Sequence, residues 1–213
     1  SVAWQELINQ LNNNGIYPNY IEYSGAAQNI FRQKLSLPHD KIYNRSDRFL
    51  KIKRYCNLRQ DINEPYLFHS SYYRTSGDKM AKNITTVHDF TYEYHMKGIQ
   101  QKIHSWQKFS AIRKAAAIVC VSESTKRDVL KFLPDVDESK LHVIYNGVSE
   151  EYKRIENSHY SSLGEFVLFV GSRVSYKNFD FLVEAMIGVR MKLVIVGGKL
   201  KDFEKNMLDN KLG

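Results

Sequence analysis

The segment 166–179 reads Phe-Val-Leu-Phe-Val-Gly-Ser-Arg-Val-Ser-Tyr-Lys-Asn-Phe: a short apolar run, then Gly171 and Ser172, then Arg173 and Lys177 four residues apart, just ahead of a helical stretch. Glycine lets a backbone turn sharply and approach a ligand closely. Two fixed cations beside helix N–H groups suit a diphosphate. The loop is not a Walker A loop, since G-x-x-x-x-G-K-[ST] is absent, and G-x-G-x-x-G is absent too, which disfavours a dinucleotide enzyme. A single Arg or Lys in a loop is most often simply solvated. The order strand, Gly, Arg, Lys, helix is what points to phosphate chemistry.

A second stretch, Ile84-Thr-Thr-Val-His88-Asp89-Phe90, sets a histidine at the end of an apolar run. In an open α/β sheet the carboxyl ends of the strands face the ligand crevice. A hydrogen-bonded structural histidine is the equal alternative, and Asp89 either orients the ring or caps a turn. His88, His95 and His104 match no zinc spacing and no cysteine lies close to them in sequence, so no metal is expected. A third stretch, 117–128, is a strand running straight into a helix, with Ser124 or Thr125 as its N-cap and Ser122 just before. A fourth, Val143-Ile-Tyr-Asn146-Gly147-Val148, closes a strand with Asn-Gly.

The elements that must carry these residues alternate. Extended runs are expected at 16–23, 66–69, 84–87, 117–121, 142–145, 166–170 and 193–196, the later ones as short continuous apolar stretches typical of strands buried on both faces. Helices are expected at 1–11, 98–116, 125–133, 178–187 and 201–208; the longest places Ile99, Ile103, Trp106, Phe109 and Ile112 on one side. Alternation of this kind specifies βαβ units in an open, doubly wound α/β fold. The polar segment 150–165 reads as a linker, which divides the chain into a Rossmann-like domain, 1–149, and the start of a second, 166–213.

Composition narrows the class. With 43% hydrophobic and 25% charged residues among 213, the chain is an ordinary globular sequence, not a low-complexity or disordered one. No apolar stretch approaches the ~18 residues of a membrane span, the N-terminus lacks a signal-peptide pattern, and two cysteines form no disulfide framework, which makes a reducing cytoplasm the expected compartment. The net charge of +8 is concentrated: Arg32, Lys34, Lys41, Arg45, Arg48, Lys51, Lys53, Arg54 and Arg59 face only Asp40 and Asp47, with Phe31, Tyr43, Phe49 and Tyr55 interleaved. A solvated helix face is the plain reading of such a run. The sharper one is a surface for phosphate head groups or a phosphorylated acceptor. Nucleic acid is disfavoured because no helix-turn-helix, zinc-finger or RNP pattern accompanies the patch.

The four stretches together, VHDFTYE, IVCVSESTKRDVL, VIYNGV and VLFVGSRVSYKNFDFLVEAM in that order, resemble the family-4 glycosyltransferases of the GT-B fold, over most of the chain from about Tyr66 to Gly213. FHSSYYR and the helix carrying Trp4-Gln-Glu-Leu7 are similar to the family's acceptor-side domain. The resemblance implies a nucleotide-sugar donor held mainly by the second domain, a glycan or lipid-linked acceptor held mainly by the first, retention of configuration and no metal or other cofactor. It implies that Arg173 and Lys177 neutralise the donor diphosphate, that His88 positions the donor sugar, and that Gly171, Ser172, Asn146, Ser122, Gly197 and Gly198 line the donor site. It also implies a glycine-rich loop ahead of Ser1 and a Glu-x7-Glu element beyond Gly213, so that these residues alone are expected to have little transferase activity. The alternative from another class is a non-catalytic nucleotide- or sugar-binding Rossmann-like module. With the first domain on the acceptor side, the basic patch is expected to give peripheral attachment to the anionic inner face of a membrane.

Overall fold

The computed structural model describes residues 2–148, 152–153 and 161–213. The chain divides into two units, 1–148 and 149–213; most of the expected linker, 150–165, lies outside the described residues.

The first unit opens with helix α1 (Val2–Asn13), which ends at Gly15 in the left-handed conformation, φ 74°. Strand β1 (Tyr20–Tyr23), a short helix α2 (Ile30–Gln33) and strand β2 (Ile42–Arg45) follow. The two strands pair in parallel, with Tyr20 opposite Ile42 and Tyr23 opposite Arg45. The extended run expected from 16 thus begins at Tyr20. The basic stretch is not one helix face: it holds β2 and the one-turn helix α3 (Leu50–Lys53).

Four more strands form the main sheet: β3 (Tyr66–His69), β4 (Ala81–Val87), β5 (Ala117–Cys120) and β6 (Leu141–Val143), all parallel and side by side in chain order. The reversal of order that makes a sheet doubly wound does not occur within these four strands. Helix α4 (Thr91–His95) and the long α5 (Ile99–Lys114) cross from β4 to β5, and α6 (Glu123–Phe132) crosses from β5 to β6. The core lies where these elements meet: Val87, Phe90, Ile112, Ala115, Ile118, Cys120, Val129, Leu133 and Leu141 are buried together. Phe90 stacks on Phe132 at 5.0 Å between ring centroids.

Helix α5 departs from the expected arrangement. Its apolar side is split: Ile112 reaches the core, whereas Ile99, Ile103 and Trp106 are exposed. The buried side carries Ser105, Gln107 and Lys108 beside Ala111 and Ile112. Lys108 is fully buried because Glu93 in α4 supplies a carboxylate at 2.7 Å and the carbonyl of Asp89 accepts a second bond at 2.8 Å. A buried charge persists only when it is paired and hydrogen-bonded in this way.

The second unit holds a parallel pair, β7 (Phe166–Val170) and β8 (Lys192–Val196), joined through α7 (Phe179–Ala185) and followed by α8 (Asp202–Leu212). Phe179 and Val183 of α7 are buried, and Phe179 meets Phe169 edge-on at 4.9 Å. Among the described residues no helix is long and apolar enough to cross a membrane.

Candidate functional site

In the first unit, the sheet brings three sequence-predicted residues to one edge. The register pairs Val87 with Cys120 and Cys120 with Val143, so the segments after β4, β5 and β6 leave the sheet at the same end. His88 follows β4 directly, Ser122 follows β5 by one residue, and Asn146 lies three residues past β6. Cross-links tie these segments together: the Val121 N–H donates to the Val87 carbonyl at 3.3 Å, the Ile144 N–H to the Cys120 carbonyl at 2.9 Å, and Thr125 Oγ1 to the His88 carbonyl at 3.2 Å.

The His88 ring is exposed and makes no hydrogen bond among the described residues, which leaves both nitrogens available. Of the two roles open to Asp89, the structure shows turn capping: Oδ1 accepts from the Thr91 N–H at 2.9 Å. Ser122, rather than Ser124 or Thr125, is the N-cap of α6. It is extended, φ −162° and ψ 163°, and its Oγ accepts from the Thr125 N–H at 3.1 Å. A cap of this type satisfies one of the first-turn N–H groups that a helix leaves unpaired. Ser122 therefore has a structural duty at the position read from sequence as a ligand contact.

Beneath the His88 loop lies a polar cluster that sequence reading missed. Ser105 Oγ donates to Glu93 Oε1 at 2.6 Å and Gln101 Nε2 donates to Ser105 Oγ at 3.0 Å, next to the Lys108–Glu93 pair. The Lys108 ammonium stands over the Phe90 ring at 4.5 Å. His104 stacks on Tyr92 at 3.9 Å between centroids, and its Nδ1 is buried without a partner among the described residues. Burial, then the Lys108 charge, lowers the His104 pKa; burial raises that of the Tyr73 phenol. Fifteen positions separate Lys108 from Glu93, beyond any local spacing rule, so only the fold reveals the pair.

In the second unit, the loops after β7 and β8 meet. Gly171 takes φ 119° and its N–H donates to the Val196 carbonyl at 2.8 Å. Opposite it, a side-chain carbon on Gly197 would stand 2.4 Å from the Gly171 carbonyl oxygen and 3.6 Å from Arg173 Nη1. A side-chain carbon on Gly171 would meet Lys177 Nζ at 2.9 Å. The two strand ends thus approach so closely that Gly197 excludes a side chain on steric grounds, and Gly171, Arg173, Lys177 and Gly197 form one cluster.

Arg173 is held rather than solvated. Its side chain is 6% exposed; Nη2 donates to the carbonyls of Gly198 and Lys199, both at 2.9 Å, and Nε lies 3.0 Å from Glu204 Oε1. Nη1 is buried with no hydrogen-bond partner among the described residues. Glu204 is the residue sequence reading missed here. It sits in the first turn of α8, accepts from the Lys201 N–H at 2.7 Å, and is kept below the usual carboxylate range by that bond and then by Arg173. A glutamate three residues after Lys201, at a helix start, was the available signal. Lys177 ends a 3-10 turn, Ser175–Lys177, and Asn178 takes φ 53° before α7 begins at Phe179. Among the described residues no cluster of three or more His, Cys, Asp or Glu could hold a metal ion.

Parallel strands joined by helices, with the chemistry-bearing residues gathered past their carboxyl ends, define an α/β protein of Rossmann-like build. The Glycosyltransferase Family 4 model matches residues 2–152, well over half of the chain, and the chain belongs to that family. Among solved structures, a mutant of S. aureus TarM in complex with Fondaparinux, alpha-GlcNAc-glycerol and UDP matches 64% of this chain at 20% identity and a TM-score of 0.40; the chain spans 27% of the TarM chain. A search of curated proteins finds no match.

Proposed function

We propose that the protein takes part in retaining, metal-independent transfer of a sugar from a nucleotide-diphosphate sugar to a glycan or lipid-linked acceptor of a cell-surface polysaccharide. The observation that supports this most is the Arg173 cluster. When the glycosidic bond to the donor breaks, the electron pair stays with the leaving nucleoside diphosphate, whose charge grows in the transition state. A guanidinium already oriented by Glu204 and two carbonyls, with Nη1 left without an internal partner among the described residues, presents a fixed cation to that charge once the close approach at Gly197 opens enough to admit the diphosphate. Lys177 adds a second cation, and the absence of side chains at Gly171 and Gly197 leaves backbone beside Arg173. Ser172 lies within this loop, and Gly198 fixes Arg173 through its carbonyl. In this reading His88 donates to or accepts from the donor sugar and positions it, with Ser122 and Asn146 on the same sheet edge.

One observation favours the non-catalytic alternative: most of Arg173's contacts are internal, as in a purely structural arginine. Thermal shift of the full-length protein with UDP, GDP and their sugars separates the readings. Selective stabilisation by one nucleotide, lost in Arg173→Ala, together with sugar transfer that fails in His88→Ala while the fold is kept, supports the transferase. Stabilisation identical in wild type and Arg173→Ala refutes the donor-site assignment.

The proposal extends to the cytoplasmic face of an anionic membrane. Phe49 and Ile52 are 63% and 67% exposed, among Arg48, Lys51, Lys53 and Arg54. Apolar tips within a cationic surround match the needs of an interfacial anchor. Co-sedimentation with phosphatidylglycerol vesicles is expected to weaken with salt and on charge reversal at Lys51, Lys53 and Arg54; binding indifferent to both would overturn it.

A further inference from the structure

We propose that a pocket in the first unit binds a phosphate group of the acceptor, a phosphate ester or diphosphate, where the word acceptor rests on the transferase reading above. The pocket is a cavity of about 340 Å³ lined chiefly by Tyr23, Arg45, Ser46, Lys53, Asn57 and Arg74. It opens past the carboxyl ends of β1 and β2, whose last residues, Tyr23 and Arg45, stand opposite each other in the register. That is the end of a parallel sheet at which ligands are bound. Helix α3 supplies Lys53 from one side. The strip 57–58 supplies Asn57, held by the Leu58 N–H donating to the Thr75 carbonyl at 2.9 Å and by Thr75 Oγ1 donating to Asn57 Oδ1 at 2.9 Å.

Each of the three cations is oriented by a bond that uses only part of its donors. Arg45 Nη2 donates to the Arg59 carbonyl at 2.8 Å, and Lys53 Nζ to the Ser46 carbonyl at 3.4 Å. Arg74 donates from Nε to the Cys56 carbonyl at 3.3 Å and from Nη1 to the Tyr23 hydroxyl, and its guanidinium lies 5.5 Å from the Tyr23 ring centroid. Arginine has five N–H donors and lysine three, so each retains donors for a ligand. No carboxylate lines the cavity. Of the neighbouring carboxylates, Glu22 pairs with Arg32 and Asp78 accepts from the Gln60 N–H and the Tyr66 hydroxyl, while Asp47, next to Ser46, lies outside the lining.

Three cations gathered around one small cavity with no carboxylate in its lining favour an anion. Their charge matches a phosphate ester or diphosphate better than a single carboxylate, and guanidinium groups pair with phosphate oxygens in bidentate fashion. The volume is at the lower end of ligand sites, ~300–1,000 Å³, enough for a head group rather than a long glycan. Phosphate of this kind reaches the pocket either on a lipid or on a soluble phosphorylated glycan.

Cys56 lines the same cavity and is exposed, whereas Cys120 is buried, with burial pushing its thiol up to about 11. Maleimide labelling of Cys56 in the full-length protein therefore reports occupancy without any transferase assay. Pyrophosphate near saturation is expected to slow labelling by about tenfold, as occupancy of about nine-tenths requires, with acetate having little effect. Arg45→Gln and Lys53→Gln are each expected to raise the protecting concentration by about tenfold, while Arg173→Ala leaves it unchanged; circular dichroism verifies that the variants fold. Vesicles of phosphatidylcholine doped with phosphatidic acid that protect at lower phosphate concentration than pyrophosphate, with that gain lost in Arg45→Gln, assign a lipid source; no such gain, or a gain that Arg45→Gln leaves intact as membrane docking alone would, assigns a soluble one. No protection by either probe, or protection indifferent to both Arg45→Gln and Lys53→Gln, overturns the proposal. Protection by pyrophosphate that persists when nucleotide fails to stabilise the protein would sink the donor reading and leave the anion pocket standing.

Discussion

Two adjacent glycines after β8 face opposite demands, and the contrast tests how the second unit is built. A side-chain carbon on Gly197 would lie 2.4 Å from the Gly171 carbonyl oxygen and 3.2 Å from its carbon, both backbone atoms, whereas one on Gly198 would meet nothing within 4 Å. In Gly197→Ala the loops after β7 and β8 must separate by about an ångström to restore ordinary contact, which stretches the 2.8 Å bond from the Gly171 N–H to the Val196 carbonyl. It also draws Gly198 and its carbonyl away from Arg173 Nη2. Overpacking of this kind costs about 1–3 kcal/mol, and alanine at the backbone geometry of Gly197, φ 159°, adds on the order of 1 kcal/mol. A total of about 2–4 kcal/mol is a large share of the stability of a unit this small. Both tryptophans, Trp4 and Trp106, lie in the first unit, so fluorescence is the wrong probe. Amide exchange in 166–171 and 192–197 reads the strand pair directly. Exchange there is expected to accelerate by a factor on the order of 30 or more in Gly197→Ala, the lower end of that range at about 1.4 kcal/mol per tenfold, and to stay near wild type in Gly198→Ala. Equal exchange in the two variants would refute the close approach of the two strand ends, and with it the placement of Arg173.

Three further outcomes follow from the first unit. Lys108→Met leaves the Glu93 carboxylate buried without its partner, a loss of about 3–5 kcal/mol, and Glu93→Leu in the same chain is expected to recover much of it; urea denaturation followed by Trp106 fluorescence measures both. Burial lowers the pKa of His69 and of His104, so the unfolded chain binds more protons as pH falls below the ordinary histidine value of about 6.5 and stability is lost from there downward toward the folded values. His104→Phe keeps the ring stack on Tyr92 and is expected to shallow that acid slope in urea midpoints taken at several pH values. Ser122→Ala removes the cap of α6 and is expected to cost about 1 kcal/mol in the same assay, whether or not nucleotide is present.

The parts of the fold that sequence showed well are those whose periodicity is enforced from both sides. Strands β5 and β8 lie within a residue of their expected ranges because continuous apolar runs flanked by helices have few other solutions. Strand β4 begins three residues early, at Ala81, because its opening is polar: Asn83 is buried through two bonds to the Ser76 backbone, at 2.7 and 3.2 Å, and no hydropathy pattern marks a residue satisfied in that way. Strand β2 was hidden for the opposite reason, since its Tyr43 and Asn44 are exposed and its Arg45 faces the basic pocket.

The candidate sites divide along the same line. Gly171, Arg173, Lys177 and Gly197 were legible because glycine and cations at strand ends carry a local pattern, and the structure clusters them. Glu204, which orients Arg173, and Lys108 with Glu93, which sit beneath the His88 loop, depend on partners far away in sequence. The α5 helix shows why such groups escape notice: the isoleucine stripe suggests a buried face, but an ammonium that finds a carboxylate and a carbonyl commits the opposite face to the interior. The observed rotation of the helix puts Lys108 Nζ against the carbonyl of Asp89, beside the histidine that the sequence singles out.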